Sequence, residues 1–115
     1  MGYRIEYAVR GGTMQARVSG RSSLAHAARI ARDIAEEAGR RAAKQLLIDV
    51  RGLVDRVGTL STLLLGARGP DRVALVDTID NDRWHILSEG LARSRGYSVR
   101  CFNDPASAID WLQRR

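Results

Sequence analysis

Gln45-Leu46-Leu47-Ile48-Asp49-Val50 is an almost unbroken apolar run interrupted by an acid, and Val73-Ala74-Leu75-Val76-Asp77 repeats the pattern and ends on one. Strands apolar on both faces belong inside a sheet that is covered on each side, the setting of parallel strands joined by helices. These two runs therefore set the class as α/β. Upstream, Tyr3, Ile5, Tyr7 and Val9 alternate with Arg4, Glu6, Ala8 and Arg10. A period of two predicts a strand with one wet face. Gly11-Gly12 then supplies a tight turn, and Met14, Ala16 and Val18 alternate with Thr13, Gln15, Arg17 and Ser19, so the chain opens on an antiparallel hairpin.

Between hairpin and central run, Leu24, Ala27, Ala28, Ala31, Ile34, Ala35 and Ala38 recur at helical spacing behind a Ser22 or Ser23 cap. Gly39 is the expected left-handed stop. Downstream, Thr59 to Ala67 is a short apolar helix after the segment Arg51 to Gly58. A third helix covers about Asn81 to Arg95, and a fifth strand carries Tyr97, Val99 and Cys101. Asp104-Pro105 caps a last helix that turns Ala108, Ile109, Trp111 and Leu112 inward. The expected order is β-β-α-β-α-β-α-β-α, in one domain over residues 1–115 with a mixed five-stranded sheet.

The chain has 115 residues, enough for one core. A single cysteine excludes an internal disulfide and a cysteine-built zinc site. The start, Met1-Gly2-Tyr3-Arg4-Ile5-Glu6, has no apolar stretch of a signal peptide, and Glu6 stands where a myristoylation motif wants Ser or Thr. No run approaches the ~20 residues of a membrane span, so the expectation is a cytoplasmic protein. Formal charge is +6, and Lys44 is the only lysine against a Lys+Arg total of 19. The arginines are scattered, without the arginine–aromatic interleaving that stacks bases, which argues against nucleic acid as a partner. Arg40, Arg41, Lys44 and Arg114 are the residues an anion-binding alternative would use.

In open α/β sheets partners dock beyond the carboxyl ends of the parallel strands. Three segments answer that rule: Asp49 with Arg51 to Ser61, Asp77 to Asp82, and Asn103-Asp104. Asp80, Asn81 and Asp82 suit a helix cap better than a cation, since a calcium loop's glycine and distal glutamate are missing. Nucleophile arrangements are absent: no Gly-x-Ser-x-Gly occurs, Cys101 reads as a buried thiol, and His26 sits on the polar helix face with Arg29 and Asp33. No catalytic residue, metal or cofactor is expected. Thr59, Ser61 and Thr62 stand at a helix start, where hydroxyls cap, and where a phosphate would meet free N–H groups.

Taken in order, Leu46-Leu47-Ile48-Asp49-Val50-Arg51-Gly52-Leu53, Arg72-Val73-Ala74-Leu75-Val76, Arg95-Gly96 and Phe102-Asn103-Asp104 with Ala108 and Trp111-Leu112 resemble the small STAS-like (SpoIIAA-like) bacterial proteins, relatives of the anti-sigma-factor antagonists. The resemblance implies a non-enzymatic module that binds a protein partner, a kinase or an anti-sigma-like protein. Partner binding would use Asp49, Arg51, Asp55, Arg56, Asp77, Asp80 and Asp82. It also implies regulation by phosphorylation at Ser61, Thr59 or Thr62, although Val57-Gly58-Thr59-Leu60-Ser61-Thr62 stands in place of the antagonists' Asp-Ser-Ser-Gly. A homodimer through the leucine-rich helix, and a carrier of a small apolar ligand or lipid with helix 59–67 as its lid, are the further readings.

Overall fold

The computed structural model describes residues 2–21, 24–54, 72–78 and 98–114. Strand β1 (Tyr3–Arg10) and strand β2 (Thr13–Arg21) form the expected hairpin, paired without interruption from Tyr3↔Gly20 to Arg10↔Thr13. Gly11 and Gly12 make the turn at φ 54° and 83°, values open to glycine at no steric cost. Helix α1 (Leu24–Arg40) leads to β3 (Gln45–Val54), and β4 (Arg72–Val76), β5 (Val99–Phe102) and helix α2 (Pro105–Gln113) complete the described chain. The sheet order is β1-β2-β3-β4-β5. β2 through β5 run parallel, with β1 antiparallel at one edge. The expected helices at 59–67 and 81–95, and the Ser22 or Ser23 cap, lie outside the described residues.

Both faces of the sheet are covered, as the two-sided apolar runs require. On one face α1 buries Ile30, Ile34 and Ala38 against Met14, Ala16, Val18, Leu46, Ile48, Val50, Leu53, Val73, Leu75 and Val99. On the other, α2 sets Ala108 and Leu112 against Leu47, Ala74 and Val76, with Phe102, Ile109 and Trp111 at the margin. Alternation within β3 and β4 sends even and odd positions to different layers, so one run of sequence feeds two cores.

Two boundaries differ from expectation. Gly39 is not the left-handed stop of α1. The helix runs on to Arg40, and Ala42 takes the left-handed conformation at φ 49°. There the Ala43 N–H donates to the Ala38 carbonyl at 3.0 Å and the Ala42 N–H to the Gly39 carbonyl at 3.2 Å. This is the paired hydrogen-bond pattern that closes a helix in a Schellman motif, with alanine in the place glycine usually holds. The second concerns Arg51, read as the start of a loop. It belongs to β3, which continues to Val54 against β2, its only partner there among the described residues, after a register shift between Arg17↔Asp49 and Ser19↔Gly52. Two residues of β3, Val50 and Arg51, stand there against one of β2, Val18, the mark of a β-bulge.

Candidate functional site

The carboxyl ends of β4 and β5 come together beside Asp49 of β3, because register places Asp49 beside Val76 and Val76 beside Phe102. Asp49 and Arg51 within β3, Asp77 and Thr78 after β4, and Asn103 and Asp104 after β5 are therefore gathered near one edge. Among the described residues these are the sequence-expected site positions that the fold unites. Asp55, Arg56, Thr59, Ser61, Thr62, Asp80 and Asp82 lie outside the described residues.

Arg51 and Asp49 form a fork. Arg51 Nε donates to Asp49 Oδ1 at 3.1 Å and Nη2 to Oδ2 at 2.9 Å, while the Arg51 backbone N–H also donates to Oδ1 at 3.1 Å. The Asp49 side chain is 8% exposed and that of Arg51 41%. A nearly buried carboxylate thus fixes a guanidinium whose other end faces solvent, the planar two-bond geometry that arginine makes and lysine cannot. The hydrogen bond to Asp49 pushes the Arg51 guanidinium higher still, and the negative charge of Asp104 adds to it. Asp104 caps α2: its Oδ1 accepts from the Ser107 N–H at 2.8 Å and its Oδ2 from the Ser107 hydroxyl at 2.9 Å. Those bonds hold its carboxyl below the usual range, with the field of Arg51 contributing least. The end of β3 and the start of α2 therefore sense each other electrostatically, a link between residues far apart in sequence.

Asp77 is fully buried. Its backbone N–H donates to the Phe102 carbonyl at 2.9 Å, its Oδ1 accepts from the Thr78 N–H at 2.7 Å, and its carbonyl accepts from Asn103 Nδ2 at 3.5 Å. A buried acid so placed ties the end of β4 to the end of β5 and shapes the edge from beneath. Asp77, expected from the sequence among the partner-binding residues, is thus enclosed at this edge. Among the described residues no group of three or more His, Cys, Asp or Glu side chains is arranged to hold a metal ion.

Several other expectations are corrected. Arg40 and Arg41 both pair with Glu37, the latter at 2.6 Å, and Arg114 pairs with Asp110 at 2.8 Å. The hydrogen bond from Arg41 in particular keeps the Glu37 carboxyl below its usual range. Glu37 and Asp110 thus offset part of the charge of the basic cluster. His26 is half-buried, not solvated, with its ring edge against Tyr3 at 5.4 Å between centroids. Cys101 is half-buried at the margin of the α1 core. Two arginines lie over aromatic rings: Arg72 over Trp111, distant in sequence, at 5.5 Å, and Arg100 over Phe102, two positions on in the same strand, at 5.6 Å. Arg72 Nη1 also donates to the Trp111 carbonyl at 2.8 Å, which clamps the end of α2 to β4. No signal in the sequence could pair positions 39 residues apart.

No described helix is long and apolar enough to cross a membrane. No family model matches the chain, and no curated protein matches it. Solved structures do. An anti-sigma factor antagonist from Mycobacterium paratuberculosis is similar with a TM-score of 0.68 at 16% identity, over 98% of this chain and 96% of that one. An uncharacterised protein with a SpoIIAA-like fold from Shewanella loihica is similar with a TM-score of 0.61 at 16% identity, over 96% of this chain and 94% of the other. Likeness over nearly the full length of each chain, with the mixed five-stranded sheet and a helix on either face, shows that this chain has the STAS-like, SpoIIAA-like α/β fold.

Proposed function

We propose that the chain is a non-catalytic module that binds a protein partner through the carboxyl edge of β3, β4 and β5. The observation that carries the reading is the Asp49–Arg51 fork, a pre-oriented and half-exposed guanidinium at the place where sheets of this class meet their partners. An arginine already held in position loses little conformational freedom on docking, which favours a carboxylate or phosphate on the partner. Likeness in fold to a protein described as an anti-sigma factor antagonist supports a signalling role of that kind. Within this reading Asp55, Arg56, Asp80 and Asp82 also take part in partner binding. Phosphorylation of Ser61, Thr59 or Thr62 regulates it by adding nearly two negative charges. The partner is a kinase or an anti-sigma-like protein.

The test is affinity capture from the native host with the wild-type chain, Arg51→Glu, and Arg10→Ala as a control at the far side of the sheet. Phosphopeptide mapping of the recovered chain accompanies it. The expected result is a partner retained by wild type and Arg10→Ala, lost with Arg51→Glu, and released by Ser61→Asp. A partner held equally by all variants would place the contact elsewhere.

A further inference from the structure

At the border of the sheet remote from β5 lies β1, which among the described residues pairs with β2 alone. In a hairpin closed by two residues, the positions flanking the turn exchange both hydrogen bonds, and alternate positions then face the partner strand. Arg10↔Thr13 flank Gly11-Gly12, and at the other end the Gly2 carbonyl accepts from the Arg21 N–H. The even positions of β1 therefore bond to β2, while the backbone groups of Tyr3, Ile5, Tyr7 and Val9 point outward. The strand carries no proline and no bulge, the usual devices that keep an edge from pairing.

The side chains divide the same way. Tyr3, Ile5 and Tyr7 are half-buried and lean on the α1 core, bounding a groove of about 330 Å³ between β1 and α1. Arg4 and Glu6 are exposed on the other face and form no ion pair among the described residues. We propose that this edge pairs antiparallel with β1 of a second copy of the chain, about a two-fold axis at Ile5, to give one continuous sheet.

Register is what singles out this occupant. Outward backbone groups permit only pairings in which odd positions oppose odd ones. Centred on Ile5, Tyr3 opposes Tyr7 of the second copy, Ile5 opposes Ile5, and Arg4 opposes Glu6 twice over by symmetry. Glu6 already has Arg17 across the hairpin on its own sheet, so charges would alternate in a ladder over both copies. Centring on Arg4 or on Glu6 sets that residue against itself, and centring on Tyr7 sets Arg4 against Arg10; each juxtaposes like charges. Centring on Ala8 sets Glu6 against Arg10, but pairing then spans only residues 6–10 before it reaches the Gly11-Gly12 turn, against residues 2–8 for the Ile5 register. The strand is thus complementary to itself on both faces in one long register.

Sedimentation equilibrium of the full chain tests the proposal. Wild type is expected to dimerise reversibly. Arg4→Glu and Glu6→Arg each turn two favourable pairs into two like-charge pairs, and should each weaken the dimer by about tenfold or more. The double exchange R4E/E6R restores the pairs in reverse and should recover wild-type affinity within about threefold. Both positions are exposed, and far-ultraviolet circular dichroism of each variant checks that the fold is intact. A wild-type chain that stays monomeric at every concentration reached would overturn the proposal. So would a dimer indifferent to the single exchanges, or a double exchange that fails to recover.

Discussion

The end of α1 offers a sharp test, because the sequence and the structure give opposite signs. If Gly39 were the left-handed stop, Gly39→Ala would place a Cβ in a forbidden conformation and lose about 1 kcal/mol. In the structure Gly39 is helical and an added Cβ would meet nothing within 4 Å. Glycine inside a helix costs about 0.5–1 kcal/mol relative to alanine, so Gly39→Ala should instead stabilise by that amount. At Ala42, φ 49° imposes the left-handed penalty on an alanine. Ala42→Gly relieves it and should gain about 1 kcal/mol, less the extra freedom glycine gives the unfolded chain. Each change corresponds to a rise of about 4 °C in Tm for a domain of this size. The pair should fall short of full additivity, since the Ala42 N–H bonds the Gly39 carbonyl. Thermal and urea unfolding followed by circular dichroism measure both, with an unchanged urea slope showing that only stability moved. Loss of stability in Gly39→Ala, or no gain in Ala42→Gly, refutes the assigned helix end.

Three further outcomes are expected. Leu75→Ala, in the middle of β4 and fully buried, should cost about 2–5 kcal/mol in urea unfolding, because packing on both sides prevents collapse into the cavity. Arg51→Ala should cost more than Asp49→Ala: the first leaves a nearly buried carboxylate without its guanidinium, whereas the second lets an exposed arginine turn to water. The first is expected at about 1–3 kcal/mol, and equal losses in chemical denaturation would argue that the fork is slack. Asp104 has its carboxyl lowered in the folded chain, first by the Ser107 N–H. Its contribution is therefore present above the ordinary carboxyl range and is lost as pH falls through the lowered value. Asp104→Asn, which keeps a capping oxygen but cannot titrate, should flatten the acid limb of Tm against pH, and an unaltered limb would contradict this.

Most of the sheet was legible in the sequence because its signals are local. Leu46 to Val50 and Val73 to Val76 are apolar at successive positions, Gly11-Gly12 stands between two alternating runs, and Asp104-Pro105 marks a helix start by residue type alone. What was not legible depends on contacts the chain makes only when folded. Ala42 becomes the left-handed residue because Ala38 and Ala43 meet across the helix end, and no propensity favours alanine there. β3 outlasts its apolar run because β2 offers partners to Gly52, Leu53 and Val54, at the expense of a bulge at Val50 and Arg51. At the candidate site Asp49 and Arg51 could be named from the acid that closes an apolar run and its basic neighbour. Asp104's electrostatic link to Arg51, and the complete burial of Asp77, depend on strand register and could not be named.

Strand order in this sheet is the order of synthesis. Each strand after β1 adds to the one made just before it, so a chain leaving the ribosome never waits for a distant segment to open a place in the middle. Assembly of this kind has a direction: the hairpin is complete first, and the growing border moves from β2 to β5. It also defines the hazardous interval. Until β4 arrives, Leu46 to Val50 has β2 on one side and water on the other, and an arrest between the two strands would leave the most apolar strand as the border. Ribosome-bound chains halted after Val54 and after Val76 should therefore differ sharply in their demand for chaperones.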